Sequence, residues 1–403
     1  MTMPRLFAGP DIRAGWESLA AHQSRLGPLP GGGPELIDTL DRSGLLGRGG
    51  AAFPVGVKWR SVACRPGGPA VVLANGAEGE PLSWKDRVLM AARPHLVLDG
   101  AFVAAATVGA DQIVLYVGEQ HGAARVAMAA ALRERPAAQR RRVRVAASPA
   151  RYVAGEESAA VHFVDRGAAL PTTVPPRPFE RGIAGRQTLV QNVESLAHAA
   201  LIARFGDAWF RSAGRAEAAG TLLVTVAGAV PSAGVLEVEG GTTVGEVIEA
   251  GGGTRAGHRA VLLGGYFGSW LDADDAWPLL LDTGALAVHG ASLGCGIVAP
   301  IAGNACGACE TAKIMRYLAG ESASQCGPCF FGLRALAGAC DRLTEGRGQP
   351  DDLDRFHRWA HEVRGRGACR HPDGAVSMLQ SALRVFEPEF WRHATGRECR
   401  AAA

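Results

Sequence analysis

Apolar positions along the chain follow two rhythms in succession. From Val71 to Ser148, short unbroken apolar runs alternate with helical patterning: a strand at 71–74, a helix near 95–107, a strand at 112–117, a helix near 122–135 and a strand at 142–147. Strands that are apolar throughout and separated by helices predict a mostly parallel sheet covered on both faces. A proline-rich connector at 171–178 then leads to a further helix near 193–205. The first forty residues read as amphipathic helix, punctuated by Gly and Pro at 27–34.

Residues 220–265 have a different rhythm. Two β-type runs, 221–228 and 234–240, flank a Pro-Ser-Ala turn and predict a hairpin. Thr243 and Glu246 have the spacing of a capping box at the start of a short helix, which Gly251 to Gly253 close before a strand at 260–264. A hairpin, one helix and a further strand suggest a small β-grasp module. Beyond Asn304 the pattern is helical, with clear pieces at 311–318, 356–363 and 376–385, and no internal repeat is evident. The expected organisation is a helical extension (1–40), an α/β domain (41–215), a β-grasp module with its connector (216–300) and an all-α domain (301–395).

Composition narrows the functional classes. The 403 residues are 47% hydrophobic and 20% charged, which suits folded domains rather than a disordered chain. A net charge of +3, spread along the chain without a basic stripe, gives no reason to expect a nucleic-acid partner. The longest apolar stretch, 101–117, contains Gly109, Asp111 and Gln112, so no membrane span is expected. Asp11, Arg13 and Glu17 stand where a signal peptide needs an apolar block, so the expectation is a cytoplasmic protein, peripheral where it docks on a membrane complex.

Two compositional biases point to chemistry. Lys58, Lys85 and Lys313 are the only lysines among 42 basic residues, so each can mark a place that requires a compact ammonium. Eight of the nine cysteines, all but Cys64, lie beyond residue 290, a skew that in a reducing compartment suggests a metal centre in the last domain.

Three strings have the look of sites. Residues 47–59, Gly-Arg-Gly-Gly-Ala-Ala-Phe-Pro-Val-Gly-Val-Lys-Trp, place glycines, Arg48 and Lys58 ahead of a helix-compatible stretch, an arrangement that suits a phosphate or an ordinary flexible loop. Residues 75–87, directly after a strand, carry Asn75, Glu78 and Glu80, which can address a polar ring edge and sugar-type hydroxyls or form a solvated acidic loop. The third string runs from Tyr152 through Gly155, Glu156 and Glu157 to Ser158; its adjacent carboxylates fit either a helix start or a ligand contact.

These strings, in this order, resemble the NADH-binding flavoprotein (51 kDa) subunit of respiratory complex I and related diaphorase subunits of hydrogenases and formate dehydrogenases. The family patterns G-R-G-G-A-G-F-P-T-G-x-K-W, N-A-D-E-x-E-P-G-x-x-K-D-R, Y-x-x-G-E-E and G-R-P-T-x-x-N-N-V-E-T fall at 47–59, 75–87, 152–157 and 185–195. The resemblance implies an α/β FMN-binding domain, an SLBB-like β-grasp module and a C-terminal helical-bundle iron-sulfur domain. It implies FMN held by Gly47, Arg48, Gly49, Gly50, Lys58, Asn75, Glu78, Tyr152, Gly155, Glu156, Glu157, Gln191 and Asn192, with NADH stacking on the flavin near Phe53, Glu80 and Glu157. Hydride then passes from nicotinamide to flavin without a side-chain acid or base, so no catalytic residue is assigned. Departures from the family are Ala52, Ala77 and Gln191 in the flavin motifs, and Ser61 and Val174 where the family holds the adenine end of the nucleotide.

The cysteines at 326 and 329, alone, fit a dithiol, a zinc half-site or an iron-sulfur half-site, although a redox dithiol expects a preceding strand that the pattern lacks. The family's cluster string E-S-C-G-x-C-x-P-C corresponds to residues 321–329, with Ala323 in place of the first thiolate and a further thiolate at Cys369. The resemblance therefore implies iron-sulfur ligands Cys326, Cys329 and Cys369, one short of a four-iron set. Open alternatives are a fourth ligand from Cys306 or Cys309, an oxygen ligand such as Ser324 or water, a three-iron cluster, or none. Cys306 and Cys309 fit a separate metal or simple buried thiols. Cys64, Cys295, Cys340 and Cys399 read as isolated structural cysteines, and His162, His198 and His289 as core or surface residues. The implied role is oxidation of NADH through FMN, with single electrons leaving through the iron-sulfur region to other redox subunits. A flavoprotein exchanging electrons with a ferredoxin-like protein and a non-catalytic scaffold are the rival readings.

Overall fold

The computed structural model describes residues 4–254, 257–349, 351–397 and 399. It divides into two compact units, 1–225 with 235–242, and 226–234 with 243–403.

The first unit is built on four parallel strands: β1 (Ala70–Gly76), β2 (Ala110–Gly118), β3 (Val143–Ser148) and β4 (Thr188–Asn192), in the order β3-β2-β1-β4. The apolar runs of β1 and β2 exist because both faces of the sheet are core. Val72 and Ala74 of β1 and Ile113, Leu115 and Val117 of β2 join one cluster, while Val71 and Leu73 of β1 and Val114 and Tyr116 of β2 join another on the opposite face. Each Val, Leu or Ile among these, fully buried, contributes roughly 1.5–3 kcal/mol. One face is covered by α2 (Glu35–Ser43), α3 (Val55–Ala63), α4 (Lys85–Ala92), α5 (Pro94–Thr107), α6 (Gly122–Glu134) and α8 (Val193–Arg211), and the other by α7 (Glu157–Arg166). The chain N-terminal to these is less helical than its polarity suggests: α1 spans Leu19–Leu26, and no helix occurs at residues 4–18. That segment is held by side chains, since Glu237 accepts the backbone N–H groups of Arg5, Leu6 and Phe7 at 2.9–3.0 Å. The expected hairpin forms as β5 (Thr221–Val226) and β6 (Gly234–Glu239).

A buried polar knot lies on the helical side of this unit. Asp99 of α5 accepts from Arg135 at 2.6 Å and contacts His22 at 2.8 Å and Arg204 at 2.5 Å. Burial would raise the Asp99 pKa, but the hydrogen bond to His22 and the charges of Arg135, His22 and Arg204 bring it down to about 2.

In the second unit, Thr243 and Glu246 complete the expected capping box of α9 (Val244–Ala250). Strands β7 (His258–Leu263), β8 (Ser269–Asp272) and β9 (Ile297–Ala302) form an antiparallel group, with β7 between the other two. A bundle of α10 (Gly307–Gly320), α11 (Arg334–Thr344), α12 (Asp351–Val363), α13 (His371–Val385) and α14 (Glu387–Ala394) follows. Ser381 of α13 accepts the Trp270 N–H of β8 at 2.9 Å, tying bundle to sheet. Among the described residues no single helix is long and apolar enough to cross a membrane; α4 and α5 together pass that test only as a pair bent by 98°, and α5 is almost wholly buried core.

Candidate cofactor site

The carboxyl ends of β1 and β4 are where an open α/β sheet presents ligand contacts, because the strands stop there and their loops splay apart. Three loops converge on this edge.

The first is the glycine loop, 47–53. Its base is closed by the Gly47 N–H donating to the Phe53 carbonyl at 2.9 Å and by a bridge between Leu46 and Pro54. Gly50 has φ +114°, a conformation that side chains disfavour, and a Cβ at Gly49 would sit 3.3 Å from the Asn192 Cβ. The loop therefore presents backbone. The Arg48 N–H donates to Ser195 Oγ at 2.9 Å and its guanidinium to the Thr221 carbonyl at 3.2 Å, while its buried Nε has no hydrogen-bond partner among the described residues. Phe53 projects 52% exposed from the end of the loop. In α3, which the loop feeds, Lys58 Nζ lies 3.3 Å from Glu157 and Trp59 Nε1 donates to Gln191 Oε1 at 3.3 Å.

The second is the floor formed by residues 75–86 and the start of α8. Asn75, at the end of β1, donates to the Gly155 carbonyl at 2.8 Å and accepts the Ala77 N–H. Asn192 caps α8, accepting the N–H groups of Glu194 and Ser195, and donates from Nδ2 to Asp86 at 2.7 Å. Lys85 is buried between Asp86 at 2.7 Å and Glu194 at 2.9 Å. Burial opposes its charge, but the two carboxylates outweigh burial and raise its pKa, so it stays protonated. Here the chain keeps a compact ammonium where a planar guanidinium would have to fit between two carboxylates.

The third is the turn before α7. Tyr152 donates to Glu80 at 3.0 Å. Glu156 accepts the N–H groups of Ser158 and Ala159 and so caps α7, whereas Glu157 lies toward Lys58 and, at 3.6 Å, Arg177.

The expected residues thus gather, with a division of labour. Glu78 accepts from Ser83 Oγ and from the N–H groups of Asp86 and Arg87, so it organises the start of α4, as Glu156 does for α7. Phe53, Lys58 and Glu157 keep the more accessible side chains. Asp86, Glu194, Ser195 and Trp59 complete the network; all four fall inside the motif strings at 47–59, 75–87 and 185–195 without having been assigned a site role from the sequence. A backbone-lined loop beside a buried guanidinium whose Nε faces Glu194 at 3.9 Å without a hydrogen bond, with amides at the strand ends, fits the phosphate and polar ring edge of FMN.

In the second unit, Cys326 and Cys329 stand at the entry to a π-helical turn, Pro328–Leu333, and Cys369 precedes α13. Burial first, then the Cys326 and Cys369 sulfurs, push the Cys329 thiol up to about 12. A cationic centre bound there would reverse that cost by stabilising thiolates. The fourth family position is the methyl of Ala323, next to Ser324 with φ +52° and its hydroxyl 3.1 Å from that of Ser322. The expectation that Cys399 is isolated is corrected: its sulfur is 3.6 Å from that of Cys309, within a group that includes Cys306 and His393. The reason is that Cys399, beyond α14, lies beside the start of α10.

Three family models match in chain order: the Nuo51 FMN-binding domain at 40–200, the SLBB domain at 223–265 and the NADH-ubiquinone oxidoreductase-F iron-sulfur binding region at 302–393. The chain is 30% identical to the F 2 subunit of NADH-quinone oxidoreductase from Rhizobium meliloti over 91% of this chain and 90% of that protein. It is 31% identical to the F subunit of NADH-quinone oxidoreductase from Streptomyces coelicolor, covering 91% of this chain and 84% of that protein. Among solved structures, an NAD+-reducing NiFe-hydrogenase in the H2-reduced state superposes with a TM-score of 0.80 at 28% identity, over 91% of this chain and 62% of that one. The chain thus spans somewhat less than two thirds of the hydrogenase chain it matches. With nearly full-length similarity at this level, the chain belongs to the family of NADH-quinone oxidoreductase F subunits.

Proposed function

We propose that this protein oxidises NADH through FMN and delivers single electrons, by way of a C-terminal iron-sulfur centre, to partner redox subunits. The observation that carries the reading is the convergence of the closed 47–53 loop, Asn75 and Asn192 on one carboxyl edge of the parallel sheet. Bound there, FMN supplies a ring that accepts two electrons as hydride and releases them one at a time. The chain supplies position and charge. Backbone N–H groups of Gly49 and Gly50, with Arg48, would hold the phosphate end, the Gly47 N–H closing the loop base; Asn75, Gln191 and Asn192 would address the polar ring edge.

Phe53 gives a flat apolar surface for the nicotinamide, and Glu80 and Glu157 accept from sugar hydroxyls. Ser61 turns its hydroxyl to the Lys58 carbonyl at 2.7 Å, so the adenine end receives no aromatic ring from this position. Cys326, Cys329 and Cys369 hold the iron-sulfur centre.

The test is an anaerobic titration of the purified chain. Flavin absorbance that bleaches with NADH supports the proposal. Flavin that bleaches only with a reduced ferredoxin, or protein that binds no FMN, overturns it.

A further inference from the structure

Cys306, Cys309, His393 and Cys399 place their sulfur and nitrogen atoms all within 4.8 Å of one another. The separations are those of donors around one ion: 3.6 Å from Cys309 Sγ to Cys399 Sγ, 3.3 Å from Cys306 Sγ to His393 Nε2, and 3.8 Å from Cys309 Sγ to His393 Nε2. A tetrahedral zinc with bonds of about 2.3 Å to sulfur and about 2.0–2.1 Å to nitrogen spaces its ligands roughly 3.5–3.8 Å apart. A cubane cluster binds each thiolate to a different iron and needs them more widely spread. We propose that these four residues form a mononuclear Cys3His zinc site, separate from the Cys326, Cys329 and Cys369 centre.

The surroundings agree with that assignment. Cys306 is the N-cap of α10 and Cys309 lies in its first turn, so two thiolates sit at a helix start, where negative charge is favoured. Cys306 and His393 are 2% and 5% exposed and Cys309 and Cys399 half-buried, so the site is shielded on one side. Three sulfurs and one imidazole with near-tetrahedral spacing match zinc better than the oxygen-seeking cations. Glu389 is engaged elsewhere: it accepts the N–H groups of Gly307 and Ala308 and pairs with Arg259, thereby locking α14 against the start of α10 and fixing the side of the site from which His393 approaches. The sequence offered only Cys-x-x-Cys at 306–309, because the other two ligands lie more than eighty residues away.

The test measures metal content of the full-length protein and of Cys399→Ser, a change outside any helix. The expected result is about one zinc per wild-type chain. In the variant, zinc retention against a chromophoric chelator falls by at least the 10–100-fold typical of weaker, outer-sphere changes, while iron and sulfide are unchanged. After zinc removal, Co(II) added to the wild type gives the intense d–d bands of a tetrahedral sulfur-rich site, a readout that does not depend on any variant folding. Loss of iron and sulfide in Cys399→Ser, a Cys309–Cys399 disulfide in protein purified under reducing anaerobic conditions, or absence of both zinc and Co(II) binding would overturn the proposal. None of these outcomes depends on whether FMN or NADH binds.

Discussion

Asn192 joins two helix starts with one side chain: its Oδ1 caps α8 and its Nδ2 donates to Asp86 in the first turn of α4 at 2.7 Å. Asn192→Ser keeps a capping oxygen and loses the donor, whereas Asn192→Ala loses both. The alanine variant is expected to lose about 1 kcal/mol for the cap, plus the cost of stripping Asp86 of a partner. Urea titrations of the two variants separate these effects: equal destabilisation would show that the bond to Asp86 alone matters, and a serine variant as stable as wild type that the cap alone does.

Lys85 is 3% exposed between Asp86 and Glu194. Lys85→Met leaves two buried carboxylates without their cation and is expected to cost roughly 3–5 kcal/mol. Adding Glu194→Gln removes one of the stranded charges, so the double variant should be more stable than the sum of the single changes predicts. Additive losses in a double-mutant cycle would refute coupling through this ammonium.

Gly50, at φ +114°, tests the backbone-lined loop. Gly50→Ala is expected to cost about 1–3 kcal/mol of local strain, released by distortion of the loop, with a marked loss of bound FMN and little change in global unfolding. Flavin fluorescence after gel filtration reports the first effect and thermal denaturation the second.

The acid limb of stability has two windows. His95 is held down to about 4 by burial and by Arg135, so the folded protein resists protonating it while the unfolded chain takes the proton. Its contribution is present above about pH 6.5 and is lost as pH falls toward about 4. Asp99, lowered to about 2, contributes above the unfolded value near 3.9, and that stability is lost as pH falls through about 2. His95→Gln should reduce the loss in the first window, which His121, lowered to about 4 by burial, and His198 share, and Asp99→Asn that in the second, which Glu17 shares, measured as unfolding free energy against pH.

At the iron-sulfur centre, Cys329→Ser is expected to lower bound iron while leaving FMN content unchanged. Unchanged iron would remove Cys326, Cys329 and Cys369 from the assignment.

Much of the fold was legible because burial on two faces writes continuous apolar runs, as at Val71 to Ala74, and because the Thr243 and Glu246 capping box is a local signal. Residues 4–18 were not legible as irregular chain, since what holds their start is distant: Glu237 accepts the N–H groups of Arg5, Leu6 and Phe7, and Arg93 donates to the carbonyls of Phe7, Ala8 and Pro10. Within the site, Asn75 and Asn192 were visible as motif residues, but the helix-capping duties of Glu78 and Glu156 depend on where α4 and α7 begin. Cys399 and His393 could not be linked to Cys306 and Cys309 by spacing, because a chain turn in space, rather than a sequence interval, makes them neighbours.

The closure of the glycine loop by Gly47 and Phe53 has a kinetic corollary. A segment hydrogen-bonded across its own base behaves as a rim rather than a flap, so a flavin seated against it has no hinged exit there. With FMN placed as proposed, its release would have to disturb that rim, and the expected outcome is a flavin lost slowly on dilution, while a nucleotide placed beside the exposed Phe53 would exchange freely.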